Sequence, residues 1–273
     1  MTITTLDGVL AGMQAPVSFN KSSVTPLAAA TRRAYTWWYS SGCPGASVAP
    51  SPGINGATCV YGNADVLGAL TRSNPTGGQS AYLAQLLALP TGQASTVLLL
   101  DRIWHNSGLS VTSTTAQAIT PVAIPARDQN GTTNGLGVIA GVEWSSAGGA
   151  GTPTVTLTYT NQAGTTGQTA TFTGVASPPA GTIEFFALAA GDTGVRACTS
   201  FIQSATRTSG TMHLCLYRVV AMVGSAVAGN AGVTDFFTSG RPQIYDNSCL
   251  QLAYINSSTT ANGLFGTYVE TQG

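Results

Sequence analysis

The sequence predicts an all-β protein, an antiparallel β-sandwich with a jelly-roll-like path, and three observations predict it. The segment Thr154 to Thr160 (TVTLTYT) alternates strictly, with Val155, Leu157 and Tyr159 on one face and threonines on the other. A period of two in β-branched residues is the pattern of a half-buried strand. Further strand-like segments follow, separated by turn signals such as Pro178-Pro179, Gly191-Asp192 and Ser209-Gly210. No convincing helix lies between them, so a parallel sheet would lack its crossover connections.

Taken in order, Asp7 to Met13 reads as one or two helical turns, and Leu27 to Tyr39 as a helix or a strand carrying Trp37 and Trp38. Ser40 to Asn63 is punctuated by Gly and Pro too often for any regular element. Tyr82 to Leu89 (YLAQLLAL) reads as a short helix stopped by Pro90. Residues 1–93 thus read as an irregular, extended arm or a set of wrapping loops, and 94–273 as the β domain. Val97 to Trp104 opens that domain as a strand buried on both faces. Val138 to Trp144 follows, then Thr154 to Thr160 and Gln168 to Phe172 as a hairpin around Asn161 to Gly167. Ile183 to Leu188, Val195 to Ile202, Met212 to Val223, Gln251 to Ile255 and Gly266 to Val269 complete the series.

Only 7% of the 273 residues are charged, and the formal net charge is +0, against about 25% charged residues in a typical soluble domain. With 43% hydrophobic residues the chain is not disordered. Its exterior must be made of Thr, Ser, Asn, Gln, Gly and Ala, which suits a protein packed against neighbours. Nine of the ten basic residues are Arg and Lys21 is the only Lys. No basic stripe favours nucleic acid, and no polybasic patch favours a membrane surface. Met1 to Asp7 has neither a basic nor an apolar run, so no signal peptide is expected, and synthesis and assembly in a cytoplasm are expected. The five cysteines form no CxxC, which disfavours a zinc site. They read as buried thiols, with a Cys43–Cys59 bridge across the Gly/Pro-rich loop as the sharper alternative.

Chemistry-bearing residues are sparse. Asp101 and His105 share one face of a strand at four-residue spacing, but a base and an orienting acid need a nucleophile and an oxyanion site. Asp101 is expected to pair with Arg102 or Arg127 instead. His213 sits in an apolar strand and reads as a hydrogen-bonded core residue. Asp101, Asp128, Glu143 and Glu184 are the carboxylates available for glycosidase chemistry; they read as partners of arginines. Gly131 to Gly137 (GTTNGLG) lacks the phosphate-binding order of glycines. Trp37, Trp38, Tyr39, Trp104 and Trp144 suit a sugar groove, a core or an interface, and Trp37, Trp38 and Tyr39 are expected as interface anchors. No catalytic, metal or cofactor residue is expected.

Three segments carry a resemblance: Leu99 to Trp104 (LLDRIW), Pro125 to Gly131 (PARDQNG) and Tyr159 to Gly164 (YTNQAG). Together they are similar to β-rich structural proteins of tailed-bacteriophage virions. The resemblance implies a non-enzymatic virion subunit, most specifically a capsid decoration or cement protein reinforcing the lattice of a major capsid protein. It implies self-association, with a trimer as one option, or contact with other virion proteins. A tail or head-fibre component and a carbohydrate-binding module for host attachment are the alternatives.

Overall fold

The structure, a computed structural model, describes residues 3–273. Its one α-helix, α1 (Leu6–Ala11), starts where the Thr5 hydroxyl accepts from the Gly8 N–H at 3.1 Å. The strands of the first third are β1 (Val17–Val24), β2 (Arg33–Thr36), β3 (Gly42–Cys43), β4 (Ala57–Thr58) and β5 (Ala81–Pro90). Then come β6 (Ser95–His105), β7 (Gln117–Ala118), β8 (Val138–Ser146), β9 (Thr154–Asn161), β10 (Gln168–Thr173) and β11 (Thr182–Phe185). The last are β12 (Val195–Gln203), β13 (Thr211–Ser225), β14 (Gly232–Asp235), β15 (Gln243–Ile244), β16 (Leu250–Asn256) and β17 (Asn262–Gln272).

The centre is a closed ring. β13 pairs with β8, β8 with β11, β11 with β2, β2 with β16, β16 with β6, and β6 with β13 again, every pair antiparallel. Closure removes the exposed edges that a flat sheet would leave. A four-stranded sheet (β10-β9-β12-β7) covers one side of the ring. Val155, Leu157 and Tyr159 of β9 pack there with Val142 and Trp144 of β8 and Leu214 and Leu216 of β13. The other side is covered by a sheet of order β14-β5-β17-β1-β3, with β15 also on β5. Phe19, Leu83, Leu86, Leu264 and Tyr268 of that sheet pack with Val97, Leu99, Leu252 and Tyr254 of the ring. The antiparallel all-β class is as the sequence predicts. The layering is a ring with a sheet on either side, and nothing in the strand order singles out a jelly roll.

Residues 3–93 contribute strands to the sheets rather than forming only an extended arm. β1 lies between β17 and β3, β2 is a strand of the ring, and β5 pairs with β17 from Ala81 to Pro90. Tyr82 to Leu89, expected as a helix, is therefore strand. Its local leucine-rich preference is overridden by burial between β14 and β17. Gly266 of β17 is held to glycine, because a Cβ there would strike the Leu87 carbonyl and the Phe19 ring. Among the described residues no helix is long and apolar enough to cross a membrane.

Candidate functional site

Period-two alternation places Ala34 and Thr36, Leu98, Leu100 and Arg102, Ile139 and Glu143, Cys215 and Tyr217, and Gln251 and Ala253 inside the ring. One end of this interior is apolar, with Ile183, Leu98 and Ala253 among its residues. The other end holds ions. Arg102 and Glu143 are both fully buried and joined at 2.7 Å. Glu143 Oε1 also accepts from the Tyr39 hydroxyl, and Oε2 accepts from the Tyr217 hydroxyl and Gln251 Nε2, each at 2.7 Å. Arg102 Nε donates to His105 Nδ1 at 3.0 Å, and His105 Nε2 meets Asp65 at 2.8 Å. The guanidinium sits 5.1 Å from the Trp38 ring and 5.9 Å from that of Tyr217, a favourable arrangement for a desolvated cation.

The segment after β2 stoppers this end of the ring. Trp38 packs with Cys59, Val66, Ala69 and Cys249, and Asp65 and Tyr39 add their polar groups to the network. Burial alone would raise the Glu143 pKa. The Arg102 charge and the donated hydrogen bonds outweigh it and hold the carboxyl at about 2. Burial lowers the His105 pKa against the pull of Asp65, and it pushes the Tyr39 and Tyr217 hydroxyls well above their ordinary range. The Cys215 thiol is raised by burial to about 12. A carboxylate holding four donors, one of them the Arg102 cation, sealed behind Trp38, has no free lone pair for acid–base work.

Asp101 does not pair with His105, and of the two arginines expected beside it Arg127 is the one that approaches, Arg102 being taken by Glu143. Asp101 accepts from Ser248 Oγ at 2.7 Å and the Cys249 N–H at 3.1 Å, with Arg127 at 3.7 Å and Arg218 at 3.6 Å. The acid that meets His105 is Asp65, from a loop the sequence leaves featureless. Asp128 accepts the N–H groups of Asn130, Thr132, Gly135 and Leu136, so the glycine loop closes on its own carboxylate rather than on a phosphate. Glu184 accepts from Val175 N and Trp144 Nε1, and burial raises its pKa.

One arrangement that sequence reading missed does resemble a nucleophile and its base. Ser145 Oγ lies 2.8 Å from His213 Nε2, and His213 Nδ1 lies 3.1 Å from the Asn106 carbonyl. Burial lowers the His213 pKa to about 4, which makes it a weak base. The nearby Gly148 and Gly149 N–H groups already donate to Pro178 and Ser209, so they cannot serve a developing oxyanion.

Of the three expected interface anchors, Trp37 and Trp38 are core residues and Tyr39 is partly buried beside them. Trp37 is fully buried, stacks 4.5 Å from Tyr254 and donates to the Asn262 carbonyl at 2.8 Å. Trp38 is buried in the stopper with Tyr39 partly covered beside it, and Trp104 and Trp144 lie in the core under the four-stranded sheet. None of them is free to line a sugar groove. The Cys43–Cys59 bridge is not formed either. Cys43 is exposed on β3, whereas Cys59 is buried beside Trp38, and all five cysteines are thiols. Among the described residues no group of three or more His, Cys, Asp or Glu is placed to hold a metal ion.

The exterior is the unusual feature. Eleven of the twenty Asp, Glu, Lys and Arg side chains are buried, including Lys21, whose ammonium donates to the Pro44 and Gly45 carbonyls. Asp7, Arg32, Arg33, Asp65, Asp192, Arg196, Asp235, Arg241 and Asp246 are left for a surface of 10481 Å². Large apolar side chains stand exposed among them: Leu6, Leu10 and Met13 on and beside α1, Met222 and Ile255 at one rim of the ring, and Phe237 and Phe265.

No protein-family model matches the chain, and no curated protein sequence does. Among solved structures it is similar to the infectious bursal disease virus VP2 subviral particle, at 8% identity over 99% of this chain and 83% of that one, with a TM-score of 0.23. The T=1 particles derived from infectious bursal virus align at 8% identity over 95% and 78%, with a TM-score of 0.20. The Gt strain of infectious bursal disease virus aligns at 9% identity over 95% and 82%, with a TM-score of 0.19. At scores this low, no inference about function passes from those particles to this chain.

Proposed function

We propose that this chain is a non-enzymatic structural subunit of a virus particle, and specifically a decoration subunit seated on the lattice of a major capsid protein. The observation that carries the reading is the distribution of charge. A surface of 10481 Å² with nine ionisable Asp, Glu, Lys and Arg side chains is poorly suited to life as a dispersed monomer, since net and local charge keep proteins apart. It is well suited to being covered. Neutral Thr, Ser and Asn faces form directed hydrogen bonds across an interface without the cost of desolvating ions. The exposed apolar side chains Leu10, Met222, Phe237 and Phe265 supply the anchors such contacts need. The subunit assembles in the host cytoplasm as a homo-oligomer, a trimer matching a threefold lattice position, and resides in the virion.

The test is mass spectrometry and gel densitometry of particles purified from cells that express the chain with its virus. Many copies per particle, at a fixed ratio to the major capsid protein, are expected. A handful of copies would move the subunit to a tail or head fibre, and absence from particles would overturn the structural role.

A further inference from the structure

A cleft of about 620 Å³ opens where β13 passes the loop before β8 and the segment around β15. Arg218, Arg241, Tyr245, Gln129, Asn130 and Gln243 line it, and none of its lining residues is acidic. Arg218 is the key group. It is 5% exposed, its guanidinium stacks 4.8 Å from the Tyr245 ring, and its Nε and Nη2 atoms have no hydrogen-bond partner. A buried guanidinium with unfilled donors is costly unless something fills them.

Asp101 does not. Its oxygens already accept from Ser248 and Cys249, and it faces two arginines, Arg127 at 3.7 Å and Arg218 at 3.6 Å, both beyond hydrogen-bond length. Asp101 is shared between the two arginines, so Arg218 has no counter-ion of its own in the cleft, and Arg241 lines the cleft as a second cation. Asp128 is enclosed by its own loop, and Asp246 lines the neighbouring cleft beyond Tyr245.

We infer that this cleft binds an acidic saccharide, the carboxylate on Arg218 and Arg241 and the hydroxyls on Gln129, Asn130 and Gln243. The positive charge selects an anion, and the fork of Arg218, oriented by Tyr245, suits the two oxygens of a carboxylate. The amide-rich, polar lining selects a hydroxylated ligand over an apolar one, and the volume is within the range of small-ligand sites. The inference does not depend on the packing role, because a particle subunit and a freely dispersed lectin could carry the same cleft.

The experiment is isothermal titration calorimetry of the purified chain with a short galacturonate oligomer, its methyl ester and inorganic phosphate. The galacturonate is expected to bind at least about tenfold more tightly than the ester, the difference expected when a charge-assisted bond is lost. Arg218→Gln and Arg241→Gln should each weaken it by about tenfold. Arg241 is exposed, so its variant decides the matter if Arg218→Gln fails to fold. Unchanged affinity in Arg241→Gln, or no galacturonate binding at millimolar concentration, would overturn the site. Phosphate binding as tightly as galacturonate would overturn the saccharide. Particle incorporation is read separately, so loss of binding in a variant that still enters particles distinguishes this cleft from the packing surface.

Discussion

The pair Arg102–Glu143 tests whether the ionic end of the ring is a single structural unit. Glu143→Gln keeps the shape but leaves the Arg102 guanidinium fully buried without its counter-ion. Arginine cannot escape by losing a proton, so the full penalty of an uncompensated buried charge applies, about 3–5 kcal/mol. Gln251 Nε2 and the new Nε2 would also compete, since the Gln251 donor now points at Glu143 Oε2. Arg102→Met is milder, because the stranded Glu143 carboxylate can take up a proton once the charge that holds its pKa near 2 is gone. The double variant Arg102→Met with Glu143→Gln removes both charges, so its loss should fall short of the two single losses combined by about 2 kcal/mol. Melting followed by circular dichroism reads the effect, each kcal/mol shifting Tm by roughly 2–4 °C in a chain of this size. Glu143→Gln should therefore lower Tm by roughly 6–20 °C. Additivity of the two single losses to within about 0.5 kcal/mol would refute the claim that these groups act together.

Three further outcomes follow from named contacts. His213 titrates near 4 in the fold because burial disfavours its charged form, against about 6.5 unfolded. The unfolded chain therefore binds more protons in that interval, and stability should fall as pH drops from about 6.5 to 4; denaturant titrations across this range should show the slope reduced in His213→Gln. Native alkylation followed by mass spectrometry should label Cys43 and spare Cys59, Cys198, Cys215 and Cys249, which are buried, and Cys43→Ser should melt as the parent does; a melting loss would indicate a bridge. Gly266→Ala should destabilise by about 1–3 kcal/mol or more through overpacking against Phe19 and the Leu87 carbonyl, read by the shift in denaturation midpoint.

The strands of the second two-thirds are legible because burial there imposes a local signal. β9 buries alternate residues, which the threonine alternation announces. β5 and β1 were hidden because their partners lie far along the chain. β1 pairs with β17 at Val17↔Tyr268 and Asn20↔Phe265, and no local pattern encodes a contact of that span. β5 reads as a helix because Leu83, Leu86 and Ala88 face the core while Leu87 and Leu89 are partly covered, which blurs the period of two. The reading of the four carboxylates as partners of arginines holds for two of them, with Arg102 on Glu143 and Arg127 and Arg218 near Asp101, whereas Asp128 and Glu184 accept from backbone N–H groups, Thr132 and Trp144. The choice of partner was not legible. His105 and Asp65 meet only because the stopper returns over the end of the ring. Adjacent aromatics such as Trp37 and Trp38 in a segment without a local period read as exposed anchors, whereas both fold into the core.

The location of the charges links fold to function. Glu143 draws donors from β6, β13, β16 and the stopper onto one carboxylate, each at 2.7 Å. A one-residue slip of any of those strands would turn its donor to the opposite face, so the constellation is satisfied in one register of the closed ring. An apolar filling would tolerate several arrangements, since dispersion contacts lack direction. The ring thus gains a specific register from ions placed where no neighbour can reach them, while the outside is left to Thr, Ser and exposed apolar side chains. For a dispersed protein that distribution invites aggregation. For a subunit destined to be covered it removes the desolvation cost that surface ions would impose at every contact. On the proposed decoration role, Glu143→Gln should therefore harm folding without changing the affinity of folded subunits for the lattice that role requires. Phe237→Lys, on the exposed surface, should weaken that affinity and leave the melt unchanged. If the two variants exchanged these phenotypes, register and assembly would not be separately encoded.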